Sequence, residues 1–184
     1  SGDIKEVGIE LYQQMLEEAV AQAKSGSFDG EIDQGWSPQI NVGASVMIPE
    51  RYVKDLNLRM SLYRRIAGLD DKNDVDAFGA ELIDRFGTLP EEVEHLLKII
   101  EIKQYCRRAG IEKIETGPKG AIISFRNSKF ANPGGLIEFL TKQGSVTKLR
   151  PDHKLVYVRK WSKIESRLIG SLNLSKAMAK IAEK

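Results

Sequence analysis

The feature that most constrains the fold is a change of hydrophobic rhythm in the middle of the chain. Residues 55–109 carry apolar side chains at helical spacing, in three segments that end at Gly68, Gly87 and Gly110. After Gly110 the pattern changes to short alternating segments, joined by turns, and two further helical segments. This order predicts an α+β fold: a helical first half followed by two β-hairpins that alternate with helices in a small α/β layer.

The beginning of the chain is predicted to be a helix and a connection. Residues 7–24 show the period of an amphipathic helix, and the stretch 25–38 is rich in Gly, Ser, Asp and Gln. Residues 39–48 alternate and predict a strand with one buried face. We therefore expect an N-terminal helix and flexible linker over 1–38 and an α+β domain over 39–184.

Capping residues indicate where the helices of the first half begin. Asp55 is predicted to cap the first helix, and Asn73 or Asp74 the second. Pro90 suits the first turn of the third helix, which spans about 90–109. The second helix is predicted to bury an apolar stripe made of Val75, Phe78, Leu82, Ile83 and Phe86.

The second half predicts two hairpins, each followed by a helix. The hairpins span about 112–125 and 147–160. A helix begins at Pro133 and ends near Gln143, and Ser162 is predicted to cap the last helix. The predicted core face of the helix after the first hairpin carries Leu136, Ile137, Phe139 and Leu140.

The two halves of the chain differ strongly in charge. Residues 1–95 carry 9 Lys and Arg against 19 Asp and Glu, a net charge of −10, whereas residues 96–184 carry 19 against 7, a net charge of +12. The split leaves four interpretations open: an acidic surface for a basic partner, a basic surface for an acidic partner, halves that neutralise each other, or solvated faces without a partner.

The catalytic and metal-binding patterns that we sought are not found in the sequence. His95 and His153 are far apart and lack metal-ligand spacing, and no phosphate loop, dinucleotide fingerprint or nucleophile elbow is present. Cys106 is the only cysteine and is predicted to be inert packing, which fits a reducing cytoplasm. No apolar run is long enough to cross a membrane. We expect a noncatalytic chain without metal or cofactor.

Nucleic-acid binding is the rival hypothesis, because cations concentrate in the second half. Tyr157 and Trp161 lie near some of them and could stack on bases, although packing in a core is the alternative. The cations that could form two positive faces are Lys103, Arg107, Arg108, Lys113, Lys119, Arg126, Lys129, Arg150, Arg159, Lys160, Lys163 and Arg167.

Two acids near the end of the second helix are the candidate binding residues. Glu81 and Asp84 lie three positions apart and off the predicted apolar stripe, so they are expected to project together into solvent. Asp84 sits at the negative end of the helix dipole, which disfavours an acid there by roughly 0.3–1 kcal/mol. A local rule broken on an exposed face suggests binding. The alternative is that Glu81 pairs with Arg85, four residues on, and that Asp84 is merely solvated.

Several segments resemble, in the right order, the C-terminal domain of bacterial transcription-repair coupling factor. They are residues 7–12, 57–67, 81–90, 97–114 and 120–125. The block Glu-Leu-Ile-Asp-Arg-Phe-Gly within 81–90 is the most specific of them. The resemblance implies a regulatory module of a longer DNA-repair protein, into which residues 1–38 lead from an upstream motor.

The resemblance also implies partners and a mechanism. Full-length members of the family are ATP-driven DNA translocases that displace stalled RNA polymerase and recruit nucleotide excision repair. Their C-terminal domain is expected to be autoinhibitory. It packs on an N-terminal excinuclease-B-like module, masks the surface for excinuclease A, and restrains translocation. Carried over to this chain, the interdomain-binding acids are Glu81 and Asp84. Direct nucleic-acid contact and membrane contact are not expected.

Overall fold

The computed structural model describes residues 36–43 and 46–184. These residues form two compact units, and one of the boundaries between them falls within a helix, between Ile100 and Glu101. The helix predicted over residues 7–24 and most of the predicted linker lie outside the described residues. The division at residue 38 therefore stays a prediction.

The first unit, called the helical unit, contains the described residues 36–37 and 46–100. Its helices are α1 (Leu56–Ala67), α2 (Lys72–Phe86) and the first part of α3 (Glu91–Ala109). The predicted glycine stop after each of these helices is confirmed, and the α+β class is confirmed for the chain.

Aspartates cap the first two helices, but not all at the predicted positions. Asp55 accepts the backbone N–H of Leu58 at 3.0 Å, as expected for the cap of α1. The prediction of Asn73 or Asp74 for α2 was wrong, because Asp71 has the extended backbone of a cap and accepts the N–H of Asp74 at 2.9 Å. Asp74 lies in the first helical turn instead.

The helical unit has its own apolar core, drawn from all three helices and the segment before them. One predicted member of the α2 stripe is wrong: Ile83 is 50% exposed, because it is rotated away from the buried row of Val75, Phe78 and Leu82. The buried core residues are Ile48, Val53, Leu62, Tyr63, Ile66, Val75, Phe78, Leu82, Val93, Leu96, Leu97 and Ile100.

The second unit, called the sheet unit, contains residues 38–43 and 101–184 and is built on a five-stranded sheet. The spatial order is β1-β2-β3-β5-β4, with β1 parallel to β2 and every other pairing antiparallel. The strands are β1 (Gln39–Asn41), β2 (Ile111–Gly117), β3 (Gly120–Phe125), β4 (Thr147–Leu149) and β5 (Leu155–Val158). Both predicted hairpins are therefore confirmed, the first as β2 and β3 and the second as β4 and β5.

The first strand is much shorter than the predicted 39–48. It ends at Asn41, and two residues later Gly43 has a φ of +72°, which a strand cannot contain. Ile48 was predicted on the same strand but belongs to the core of the helical unit. Alternation alone did not reveal that the chain passes from one unit to the other within this segment.

Two helices complete the sheet unit: α4 (Pro133–Gln143) and α5 (Ile164–Ala182). Asn132 caps α4 by accepting the N–H of Gly135 at 3.0 Å. The predicted cap Ser162 was wrong, because α5 begins at Ile164 and the residue at its cap position is Lys163. The predicted α4 core face is only partly right, since Leu136 is buried and Ile137 is 63% exposed.

Among the described residues, no helix is both long and apolar enough to span a membrane. The prediction made from the apolar runs of the sequence agrees with this finding.

Candidate protein-binding site

The candidate site is the C-terminal end of α2, which neighbouring groups hold in place. The N–H of Gly87, at a φ of +96°, donates to the carbonyl of Ile83 at 2.9 Å and ends the helix. The Tyr52 hydroxyl lies 3.0 Å from the carbonyl oxygen of Leu82 and 2.7 Å from that of Gly87. The Tyr52 ring also packs against Phe86, with centroids 5.7 Å apart. The end of α2 is therefore an ordered platform.

Glu81 is bound by two arginines of the helical unit. Arg65, in the last turn of α1, approaches it with both terminal nitrogens, at 2.5 Å and 2.7 Å from the two carboxylate oxygens. Arg85 adds a contact of 2.9 Å from one helical turn along α2. The Arg65 guanidinium, and then that of Arg85, lower the pKa of Glu81 from 4.5 to about 2. We call these three residues the Arg–Glu–Arg cluster.

The two arginines of the cluster also lie over aromatic rings. The Arg65 guanidinium carbon is 4.9 Å from the ring centroid of Phe78, and that of Arg85 is 4.9 Å from the centroid of Phe86. Each guanidinium is thus fixed on one side by a carboxylate and on the other by a ring. The cluster ties the end of α1 to the end of α2.

The sequence predicted one of the two arginine contacts that Glu81 makes in this cluster. The contact between Glu81 and Arg85, stated as an alternative, is confirmed because the two lie one helical turn apart. Arg65 was missed, since it is 16 residues away and its contact depends on how α1 packs against α2. Its position in the last turn of the preceding helix was the only available signal.

Asp84 differs from the other acids of α2 in having no internal partner. Asp74 accepts the N–H of Asp70 at 3.0 Å, Asp76 pairs with Lys72 at 2.9 Å, and Glu81 belongs to the cluster. Within the part of the chain that the structure describes, Asp84 makes no ion pair and no side-chain hydrogen bond, and it is exposed. An uncompensated acid therefore lies at the negative end of an ordered helix.

The two predicted acids are consequently not an equivalent pair. A helix advances about 100° per residue, so Glu81 and Asp84 are about 60° apart around α2. Glu81, 35% exposed at its side chain, is turned toward α1 by Arg65, whereas Asp84 faces solvent. The structure brings the two acids to one end of one helix and gives them different surroundings.

The remaining candidate residues from the sequence are one cysteine and two histidines. Cys106 is fully buried, and burial raises the pKa of its thiol to about 12, which confirms the interpretation as packing. His153 lies in an exposed turn with a φ of +66°. His95 is half-buried on α3.

The sheet unit does not offer its tryptophan as a stacking platform for nucleic acid. Trp161 is only 7% exposed, and its ring packs closely on Gly170. Tyr157 is half-buried, and the guanidinium carbon of Arg159 lies 4.1 Å from the centroid of its ring. The Nη2 atom of Arg159 donates to Oε1 of Gln143 at 3.0 Å. The hypothesis of nucleic-acid binding therefore depends on charge rather than on these two rings, and it stays a prediction.

Comparison with known proteins places these features in a family. The TRCF domain pattern matches residues 42–136. The transcription-repair-coupling factor of Rickettsia bellii is 44% identical over 161 residues, and that of Escherichia coli K12 is 33% identical over 170 residues. These alignments cover 87% and 91% of this chain but only 14% and 15% of the relatives, so the chain spans about one seventh of their length.

A solved structure shares the fold. The crystal structure of the C-terminal domain of a transcription-repair coupling factor aligns with a TM-score of 0.64 and 21% identity, covering 80% of this chain and 95% of that one. The TRCF domain pattern alone covers just over half of the 184 residues. Because the family pattern, the relatives and the fold agree, the chain belongs to the transcription-repair coupling factor family and carries its TRCF domain.

Proposed function

We propose that this chain is a noncatalytic, autoinhibitory protein-interaction domain of a translocase in transcription-coupled DNA repair. In this proposal it packs on the N-terminal excinuclease-B-like module of the same protein and masks the surface for excinuclease A. It restrains translocation until RNA polymerase is engaged. Membership of the family supports the context. The observation that carries the site is Asp84, the one acid of α2 that lacks a partner among the described residues.

The proposed contact has a suitable strength. An ion pair on an open surface contributes only about 0–1 kcal/mol, whereas a hydrogen bond to a charged group in a protein contact contributes about 1.5–3 kcal/mol. A coupling of about 1–3 kcal/mol is enough to act as a switch between two states of a protein. One charge-assisted contact from Asp84 to an arginine or lysine therefore gives an interaction that competing partners can displace.

Glu81 has a different role within the same proposed interface. Its carboxylate already holds Arg65 and Arg85, so it shapes the end of α2 and fixes where those two positive charges lie. The exposed part of its side chain stays at the margin of the contact. Glu81 is thus proposed as a positioning residue, and Asp84 as the acid that meets the cation of the partner.

The direct test is a binding titration between the 184-residue chain and the separately produced N-terminal module. Asp84→Lys is expected to weaken binding about 30-fold, because a favourable charge contact becomes a repulsive one. The matched control is Glu138→Lys, which changes the charge equally on an exposed position of α4. Asp84→Lys binding with wild-type affinity would contradict the role of Asp84, and a wild-type chain that does not bind would contradict the interdomain contact.

A second experiment tests the inhibitory consequence in the full-length protein. Asp84→Lys is expected to raise DNA-dependent ATP turnover without RNA polymerase and to allow capture of excinuclease A. Glu138→Lys is expected to leave both activities at the wild-type level. If Asp84→Lys abolishes the contact but both activities stay low, the domain binds without inhibiting.

A further inference from the structure

Ile83 is an exposed aliphatic side chain directly beside Asp84. It is 50% exposed and is not part of the apolar core of the helical unit. A β-branched residue is not favoured in a helix, and its exposed methyl groups gain nothing from water. The residue fits the apolar pattern of the sequence but does not serve the core.

The side of α2 that points away from the core carries two exposed acids: Asp76 pairs with Lys72, whereas Asp84 has no partner among the described residues. Ala77, Ala80, Ile83 and Asp84 are all exposed and lie within roughly one third of the helix circumference. We call these four residues the α2 outer face. The two alanines allow another protein surface to approach closely, while Glu81 lies at the margin next to α1.

We propose that Ile83 is the apolar contact residue of the α2 outer face, and that this face binds a protein surface carrying an arginine or lysine beside an apolar depression. The inference rests on the proposed function and names a contact residue within it. The occupant is accordingly the N-terminal module of the same protein.

Charge complementarity supports a basic protein as the occupant. Helix α2 carries four acids and two bases, a net charge of −2. Both bases are engaged internally, Lys72 with Asp76 and Arg85 with Glu81. The free charge of the outer face is therefore that of Asp84. A phosphate backbone is repelled by it, and a second copy in a two-fold contact would bring two identical acids together.

Ile83 also changes the strength of the charge contact. Apolar groups around a polar contact exclude water from it, and an ion pair in a drier environment is stronger than one in bulk solvent. Burying the exposed part of Ile83 adds its own hydrophobic contribution. The two neighbouring residues are thus expected to act together.

The test compares two isoleucines in the binding titration with the N-terminal module. Ile83→Ala is expected to weaken binding about 5- to 10-fold. The matched control Ile169→Ala, on α5 with 54% exposure, is expected to bind as the wild type does. Circular dichroism and melting temperature are expected to be unchanged in both variants. In Ile83→Ala with Asp84→Ala, the combined loss is expected to be smaller than the product of the two single losses, since both remove parts of one contact.

The outcomes separate this inference from the function on which it rests. If Asp84→Lys abolishes binding while Ile83→Ala binds like the wild type, the inference is wrong and the proposed function stands. If the wild-type chain does not bind the module, the proposed function is wrong, and the inference that rests on it is overturned with it. Sedimentation that shows Ile83→Ala only reducing self-association would assign the face to a second copy and overturn the inference.

Discussion

The helical unit and the sheet unit use charge in different ways. In the helical unit, cations and acids near the end of α2 form the Arg–Glu–Arg cluster, and Asp84 remains without a partner among the described residues. In the sheet unit, several cations have local acidic partners, such as Arg108 with Glu183 at 2.7 Å and Arg150 with Asp152 at 2.6 Å. A large excess of one charge is therefore less informative than a single charge that an ordered element leaves uncompensated.

The largest expected effect concerns the separate cores. Leu82→Ala in the helical unit and Ile123→Ala in the sheet unit each remove a fully buried side chain and are expected to lower the free energy of unfolding by about 2–5 kcal/mol. Hydrogen exchange is expected to rise mainly in the unit that carries the substitution. Equal loss of protection in both units by either variant would show that the comparison between them does not hold for stability.

Two helical glycines provide the next comparison. A Cβ atom at Gly170 in the sheet unit would overlap the rigid Trp161 ring, whereas one at Gly79 in the helical unit would lie 3.2 Å from the terminal methyl of Leu97. Gly170→Ala is expected to destabilise by about 1–3 kcal/mol through overpacking. Gly79→Ala is expected to stay within about 1 kcal/mol of wild type, since better helix propensity offsets the tight contact. Chemical denaturation measures both, and the reverse order would contradict this packing account.

A buried hydroxyl gives the third expected effect. The backbone N–H of Ile48 donates to the Tyr63 hydroxyl at 2.6 Å inside the helical unit. Tyr63→Phe leaves this buried N–H without its acceptor and is expected to destabilise by about 1–3 kcal/mol. Tyr157→Phe is the control, because its hydroxyl is in a half-buried position of the sheet unit. A larger loss in the control, measured by urea denaturation, would argue against the account.

The smallest expected effect concerns acid stability. The folded pKa of Glu81, about 2, lies below its ordinary value of 4.5, so the cluster contributes stability above about pH 4.5 and loses it as the pH falls toward 2. Glu81→Gln is expected to lower the melting temperature at pH 6 and to flatten its decline between pH 4.5 and 2. Glu183→Gln, whose parent has a pKa lowered by Arg108 alone, is expected to show a smaller change of the same sign. Identical curves for wild type and Glu81→Gln would exclude the cluster as a stabilising element.

Local chemistry made much of the fold predictable. The glycine stops, the Asp55 cap, the helix start at Pro133 and both hairpins depend on residues close together in sequence, and the structure has them. The errors arose where packing between elements decides. Whether Ile83 is buried depends on which side of α2 meets the core, and the end of β1 depends on where the chain leaves one unit for the other.

The sequence likewise predicted only part of the candidate site. The position of Asp84 at a helix end follows from the glycine stop, so its unfavourable dipole position was visible in the sequence. The unlike surroundings of Glu81 were not, because Arg65 reaches it from another helix. The sequence thus identified the end of the helix, but the division of roles between its two acids required the tertiary contact.

The cluster around Glu81 has a consequence for how such a contact can be opened. With a pKa of about 2, Glu81 remains ionised throughout the pH range of living cells, so proton uptake in that range does not loosen its hold on Arg65 and Arg85. The contacts of Glu81 at the end of α2 are therefore expected to be the same throughout that pH range. A change of acidity at the cluster is therefore not expected to drive a regulated separation from the proposed partner.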